Sequence, residues 1–318
     1  MNVDPEFPVA LDDVLLRREL IAQKWTDRAI ARQVALGFLV KVRYGAYVDA
    51  GLVAGLDEVG QMRVRSRAVL KTAHATSVLS HQSALAEYDV PTWGLKLDEV
   101  HTTRTDGKAG RREAGVAQHC GRLEPEDVRS RHGVRVVSAA RAVIEVILSH
   151  GREEGLVALC SVLSAGHATI EEVRRIAEET DQWPNSLHAR LVLDRADDRI
   201  TTVGEARSWH MFHEQHVPRP EPQVAVVDEL GVLLGIVDFL WSAHGVFLEF
   251  DGRIKYRQHR LSGESLDDYL MREKRREEAI CAATGWVCIR ITWADLSRPV
   301  ATARRIKRLL DSRTSPAA

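Results

Sequence analysis

The last third of the chain contains the pattern that most limits how the chain can fold. Two short apolar segments, 233–240 and 246–250, are separated by five residues, and each contains a single acidic residue, Asp238 or Glu249. Short apolar runs of this kind are typical of buried β-strands. Helical patterns and further strand-like segments surround them: helices at 203–216, 266–283 and 300–310, and strands at 224–227 and 286–291. This order predicts an α/β sandwich.

Asp238 and Glu249 are predicted to face each other. If the two segments form a hairpin centred on the loop 241–245, the two side chains lie opposite one another with Cβ atoms ~5 Å apart. Asp251 follows Glu249 by two residues, so the two-residue period of a strand places it on the same face. Carboxylates that face one another repel, and a divalent cation removes this cost. Mg²⁺ or Mn²⁺ is the predicted cofactor, because Mg²⁺ prefers one or two carboxylates together with water and phosphate oxygens.

Asp238, Glu249 and Asp251 are therefore the predicted metal ligands. The alternative is an ordinary hairpin edge, whose acids are solvated or paired with arginine.

Residues 11–48 have the pattern of a small DNA-binding module. An amphipathic helix is followed by a second helix, which Thr26 can cap and Gly37 can end, and then by a two-stranded ribbon. This order predicts a winged helix-turn-helix, which uses its second helix in the major groove of DNA.

The candidate DNA contacts of this module lie on the second helix and on the ribbon. Arg28 and Arg32 are four residues apart and share one helix face, and Lys41, Arg43 and Tyr44 lie on the ribbon. The alternative is a winged helix that contacts protein rather than DNA.

Composition excludes several classes of protein. The chain has 44 Lys and Arg against 45 Asp and Glu, so it is not a polycation, although a local basic patch remains compatible with this balance. No apolar run approaches the ~20 residues of a membrane span, and the N-terminus lacks a signal-peptide pattern. The four cysteines have no CxxC spacing, so neither a disulfide framework nor a zinc site is predicted, and a cytoplasmic location is expected.

The predicted fold class is a multidomain α+β or α/β chain with three domains. Residues 1–60 form the winged helix, 61–198 a small α/β domain, and 199–318 the α/β sandwich. Within the middle domain, 77–86 is predicted to be a helix. His81, close to Ser80 and Ser83, is interpreted as a packing residue on that helix rather than as part of a nucleophilic site.

Three motifs of the last third resemble the PD-(D/E)XK nuclease superfamily. They are Gly204-Glu205, the segment 235–239 and the segment 248–252, and the likeness is greatest to the very-short-patch-repair-like branch with the DUF559 domain. The resemblance covers about 201–310 and implies a restriction-endonuclease-like α/β fold that hydrolyses DNA with Mg²⁺. It casts Asp238 and Glu249 as metal ligands, with Glu205 and Asp251 as supporting carboxylates.

The chain departs from that family at one position. The catalytic lysine of the family usually stands two residues after the second acid, where this chain has Asp251. A displaced lysine would be Lys255 or Lys274. Arg253 and Arg275 lie in the same basic stretch and are candidate phosphate contacts.

The N-terminal half resembles the AbiEi family of antitoxins. The segment 42–47 is similar to its winged helix, and 80–84 and 134–146 are similar to the domain that follows it. This resemblance implies DNA binding, autoregulation of an operon and a partner toxin. Three functions therefore stay open: a DNA endonuclease targeted by the winged helix, a non-enzymatic DNA-binding regulator with a decayed nuclease fold, and a toxin-binding protein whose carboxylates are relics.

Overall fold

The computed structural model describes residues 9–106, 110–113, 115–252 and 265–313. The chain divides into two compact units, Met1–Asp194 and Arg195–Ala318. Helices make up 48% and strands 22% of the structure, which agrees with the mixed α+β class that the sequence predicts. The finer division of the first unit at residue 60 stays a prediction. In the part of the chain that the structure describes, no helix is both long and apolar enough to cross a membrane.

The first elements of the chain are two short helices and a small sheet. They are β1 (Leu15–Leu16), α1 (Arg17–Ala22), α2 (Asp27–Ala35), β2 (Leu39–Arg43) and β3 (Ala46–Asp49). The Thr26 hydroxyl accepts the Ala29 amide at 3.1 Å and so caps α2, as predicted. Gly37, just after α2, has φ +76°, a conformation that glycine adopts without strain. The strands are ordered β1-β3-β2.

The rest of the first unit is a six-stranded sheet packed against helices. Its helices are α3 (Ala50–Val53), α4 (Glu58–Thr72), α5 (His81–Leu85), α6 (Ala139–Ser149), α7 (Arg152–Ser164), α8 (Ile170–Glu179) and α9 (Ser186–Leu193). Its strands are β4 (Ser77–Leu79), β5 (Val100–Arg104), β6 (Arg111–Glu113), β7 (Val116–His119), β8 (Val128–Arg131) and β9 (Val134–Val137). The strands are ordered β6-β7-β5-β4-β9-β8. Nearly every residue of α6 is buried, so this helix is central to the core.

The prediction of one helix over 77–86 is wrong at its start. Ser77–Leu79 is strand β4, and Val78 pairs with Thr103 of β5. The helix begins only at His81, whose φ of +52° marks the change of direction between the two elements. Pairing with β5 and β9 decides the conformation of these three residues, because local propensity is a weak preference that tertiary contacts override.

The second unit is a four-stranded mixed sheet with helices on both faces. Its helices are α10 (Val203–Glu214), α11 (Leu266–Thr284), α12 (Trp293–Leu296) and α13 (Pro299–Arg313). Its strands are β10 (Glu221–Val227), β11 (Leu233–Trp241), β12 (Val246–Asp251) and β13 (Val287–Thr292), in that order across the sheet. β12 runs antiparallel to β11 and parallel to β13.

Alternation along β11 and β12 divides their side chains between the two faces of this sheet. Phe239 stacks on Trp209 of α10, with ring centroids 5.9 Å apart, and faces that helix. Leu240 and Phe247 face the other way and share a core with Ile280 of α11. Asp238 and Glu249 line a cavity together with residues of α11.

Candidate functional site

The hairpin of β11 and β12 has the register that the sequence predicts. Phe239 pairs with Leu248, Leu240 with Phe247 and Trp241 with Val246, but the pairing ends there, so the predicted pair of Asp238 with Glu249 is not among the pairs of these two strands. Asp238 is 5% exposed and Glu249 is 6% exposed. Carboxylates that are this buried need a compensating cation or hydrogen bonds, and the partners of each one define what the site can do.

Asp238 is held by the backbone of the neighbouring strand. Its Oδ2 accepts the Phe250 backbone amide at 2.7 Å. In a continuous ladder between the two strands, a backbone carbonyl of β11 would accept this amide instead. The paired ladder between β11 and β12 ends at Phe239 and Leu248. The aspartate side chain therefore satisfies a backbone donor where the two strands separate, which fixes the carboxylate in position.

Glu249 is paired with an arginine of the long helix α11. Arg276 Nη2 lies 3.1 Å from Glu249 Oε1, and the same guanidinium donates to the Ile236 carbonyl at 3.0 Å and to Glu273. Burial by itself lowers the pKa of Arg276, but Glu249 and Glu273 outweigh this and raise that pKa above its ordinary value. Gly235 leaves room for this side chain, because a Cβ there would lie 3.0 Å from Arg276 Cδ.

A cavity of about 660 Å³ opens above these carboxylates. Its walls combine acids with basic residues of α11 and β13. The polar lining residues are Asp238, Glu249, Asp251, Tyr269, Arg272, Glu273, Lys274, Arg276, Glu277 and Arg290. Arg290 donates to Glu277 at 2.6 Å and 2.8 Å. An anionic ligand that enters this cavity meets basic side chains beside carboxylates, and a metal-bound phosphate uses both kinds of group.

Glu205 lies on α10 and is joined to the sheet through a residue that the sequence reading missed. Its Oε2 accepts the Gln223 amide at 3.0 Å and the Thr201 backbone amide at 3.1 Å. Gln223 falls between the pairs Pro222–Phe239 and Val224–Val237, so it lies opposite Asp238. The strand predicted from the sequence begins at Val224, one residue after Gln223, so no local pattern marked this residue.

The remaining predicted site residues have different surroundings. Asp251 is half-buried and lines the cavity. Lys274 lines the cavity as well, although its side chain is 68% exposed and lies 3.8 Å from Glu278. Arg275 is exposed on the same helix. Lys255 and Arg253 lie outside the described residues.

The predicted DNA contacts of the first unit are mostly exposed. Arg28 and Arg32 are exposed on α2, as is Lys41 on β2, whose ammonium lies 5.7 Å from the centre of the Tyr44 ring. Tyr44 is 88% exposed. Arg43 differs from these, because it is half-buried and its guanidinium contacts Thr72 at 3.4 Å and Glu113 at 3.9 Å.

A cluster of three histidines was missed by the sequence reading. His81, His101 and His119 each offer a ligand atom, and these atoms lie within 4.8 Å of one another. Among the described residues, these histidines are the one group of three His, Cys, Asp or Glu side chains whose ligand atoms come this close together. Asp238, Glu249 and Asp251 do not form such a group. The interpretation of His81 as part of a helix face did not anticipate this, because the partners come from strands about 20 and 40 residues later.

Burial controls the charge of this histidine cluster. It lowers the pKa of His101 to about 4, with a further contribution from His119, and it also lowers the pKa values of His81 and His119. Burial raises the pKa of the nearby Glu145, against the opposing effect of Arg141. Burial therefore favours the neutral form of all three imidazoles.

No protein-family model matches the chain, and a search of curated proteins finds no significant sequence match.

Proposed function

We propose that this protein is a Mg²⁺-dependent DNA endonuclease whose second unit hydrolyses phosphodiester bonds. The observation that carries this proposal is that Asp238 and Glu249 are both buried and line one cavity together with basic residues of α11 and β13. Buried carboxylates cost free energy unless hydrogen bonds or cations compensate them, and a divalent cation in this cavity can serve both.

The donor set fits a hard cation. Asp238 and Glu249 supply carboxylate oxygens, which Mg²⁺ prefers, and two carboxylates leave its other positions for water and phosphate oxygens. When bound, such an ion activates water as a nucleophile and stabilises the leaving oxygen. Asp251, at the end of β12, is a third candidate ligand that can approach from the same cavity.

The surrounding residues would orient the substrate and the carboxylates. Arg272, Lys274 and Arg290 line the cavity and would neutralise phosphate charge. Gln223 lies on β10 at the position opposite Asp238 and donates a hydrogen bond to Glu205. This hydrogen bond would hold the Glu205 carboxylate in place. Lys274 is one candidate for the catalytic lysine of the family, displaced from its usual position. Lys255, which lies outside the described residues, is the other candidate.

DNA targeting by residues 11–48 belongs to the same proposal. The order of β1, α1, α2, β2 and β3 supports a winged helix-turn-helix with Arg28 and Arg32 exposed on its second helix. The restriction-endonuclease-like sandwich in the second unit and the AbiEi-like domain in the first are part of this proposed architecture.

A non-enzymatic DNA-binding regulator is the second candidate, and one observation favours it. Glu249 is already paired with Arg276, so one of the two central acids has a compensating charge without an ion. In that case the second unit keeps the nuclease shape and serves as a binding surface for a partner such as a toxin.

Nicking of supercoiled plasmid DNA by the full chain tests the proposal. We expect cleavage with Mg²⁺ or Mn²⁺, and a loss of about 100-fold or more in Asp238→Asn and Glu249→Gln, because several kcal/mol of charge stabilisation disappear at ~1.4 kcal/mol per tenfold in rate. Asp267→Asn is the matched control, because it removes an exposed carboxylate at the start of α11.

Two outcomes would contradict the nuclease proposal. The first is a wild-type chain that binds DNA but cuts none of the plasmid, linear or single-stranded substrates with either ion. The second is cleavage that persists unchanged in both active-site variants, which would assign the activity to a contaminant. If either outcome is accompanied by salt-sensitive binding to operator DNA, the function is that of a non-enzymatic regulator.

A further inference from the structure

The histidine cluster of the first unit is built by three separate elements. His101 lies on β5 and His119 on β7, and the pairs His101–Ala117 and Thr103–His119 place the two histidines on one face of adjacent parallel strands. His81 begins α5 and reaches the same place. Three imidazoles from three elements, with His81 7% and His101 9% exposed, form a buried polar cluster.

The backbone holds His81 in an unusual conformation. Its φ is +52°, which is uncommon for a residue with a side chain. Its amide donates to Glu145 Oε2 at 3.0 Å, and Glu145 is itself held by Arg141 at 3.1 Å. Strained backbone persists only where the surrounding contacts enforce it, and it is common at functional sites.

Two of the three imidazoles have a polar side chain at one nitrogen. His81 Nδ1 lies 3.3 Å from Glu145 Oε2, and His101 Nε2 lies 2.9 Å from the Gln82 side-chain amide. Histidines that bind metal ions usually donate one N–H to a carboxylate or carbonyl, which fixes the ring and directs the other nitrogen to the ion. If the Gln82 amide group is turned by 180°, its Oε1 can accept such an N–H from His101 Nε2. In the described structure this oxygen is buried without a hydrogen-bond partner.

The other nitrogens of His101 and His119 face each other. His101 Nδ1 is 2.9 Å from His119 Nε2. Two imidazole nitrogens bound to one tetrahedral Zn²⁺ are about 3.3 Å apart. The rings of His101 and His119 therefore need to move apart only slightly for these two nitrogens to bind the same ion. The rings of His81 and His119 stack with centroids 3.9 Å apart, and binding of all three nitrogens requires one of these two rings to turn out of the stack.

A cavity of about 420 Å³ adjoins the cluster. His81, His119, Cys120, Glu145 and Trp183 are among its lining residues. Three protein ligands that leave one position open to a cavity are typical of catalytic zinc sites, whereas structural zinc sites have four protein ligands.

We propose that His81, His101 and His119 bind a divalent transition-metal ion of the Zn²⁺ class, with a fourth position that faces this cavity. Imidazole nitrogens suit Zn²⁺, Co²⁺, Ni²⁺ and Cu²⁺, whereas Mg²⁺ prefers oxygen ligands. The site is therefore chemically distinct from the carboxylate pair of the second unit, and the two proposals can fail independently.

Titration of the full, chelator-treated chain with Co²⁺ tests this proposal. We expect one Co²⁺ per chain with the visible absorption of a tetrahedral site, displacement by one equivalent of Zn²⁺ and no displacement by Mg²⁺. His101→Gln and His119→Gln should each weaken Co²⁺ binding at least about 100-fold, because loss of an outer-shell partner alone costs about 10–100-fold and a ligand contributes more. His74→Gln is the matched control, since His74 is exposed in the same unit.

A measurement on the wild-type chain keeps the test independent of variant folding. X-ray absorption at the zinc edge should show three imidazole ligands at about 2.0 Å. A chain that binds no Co²⁺ or Zn²⁺, a first shell of oxygen or sulfur without imidazole, or equal affinity in His119→Gln and wild type would overturn the proposal.

Discussion

Arg276 is the cationic partner of Glu249, one of the two buried carboxylates of the second unit. It joins Glu249 to Glu273 and to the Ile236 carbonyl, so it crosses from α11 to two strands of the sheet. A cation that binds Glu249 competes with this guanidinium. The proposed metal affinity is therefore the difference between two electrostatic interactions of the same carboxylate.

Replacement of this arginine should increase the response of the protein to Mg²⁺. In Arg276→Gln the buried Glu249 loses its cation, and we expect the free energy of unfolding to fall by about 1–3 kcal/mol without metal, less than for a fully buried pair because Arg276 is partly exposed. Mg²⁺ should then raise the melting temperature of the variant more than that of the wild type, as measured by calorimetry.

Arg275→Gln is the control for this measurement, because Arg275 is the exposed neighbour on the same helix. An equal Mg²⁺ response in the wild type and in Arg276→Gln would show that the arginine and the ion do not share Glu249.

At the scale of elements, the contact between α10 and β12 positions one side of the site. Gly204 packs directly on the Phe250 ring, and a Cβ at residue 204 would overlap that ring. Phe250 in turn contacts Trp293 edge-to-face, with centroids 5.0 Å apart, so it has little room to move. Glycine thus lets the helix that carries Glu205 approach the strand that carries Glu249.

A methyl group at this contact should separate the helix from the sheet. Alanine favours a helix by up to about 1 kcal/mol over glycine, but overpacking in a filled core costs about 1–3 kcal/mol. We expect Gly204→Ala to destabilise the protein by about 1–2 kcal/mol in urea unfolding.

Removal of the ring should rescue this variant. In the double variant Gly204→Ala with Phe250→Leu, the penalty of the alanine should become smaller than in the wild-type background, which a double-mutant cycle measures. Strict additivity of the two substitutions would mean that residue 204 does not pack on Phe250.

At the scale of the whole molecule, the two units carry different parts of the proposed function. The first holds the exposed basic helix α2, and the second holds the buried carboxylates. The near-zero net charge of the chain, −1, means that DNA affinity depends on local patches rather than on overall attraction. Binding and cleavage should therefore be separable by mutation.

Arg28 and Arg32 give the clearest test of that separation. Each phosphate contact that is lost should reduce the slope of log affinity against log salt by about 1, so Arg28→Ala with Arg32→Ala should reduce it by about 2. Fluorescence anisotropy with operator DNA measures this. Arg174→Ala, an exposed arginine of α8, is the control. An unchanged salt slope would mean that α2 does not contact DNA.

Local sequence was sufficient for the features whose physical cause is local. The Thr26 cap, the left-handed Gly37 and the strands around Asp238 and Glu249 depend on side-chain chemistry and on periods of two or 3.6 residues. The hairpin register followed as well, because a short loop between two apolar strands leaves few alternatives once one face is buried.

Only the tertiary structure decided which partners these residues have. Arg276 reaches Glu249 from a helix 27 residues later, and Gln223 reaches Glu205 across 18 residues. The three histidines meet because β5 and β7 are adjacent and α5 begins beside them, a juxtaposition that no local period encodes. Long-range packing selects such contacts from many that a sequence permits, since each depends on how separate elements bury their apolar faces together.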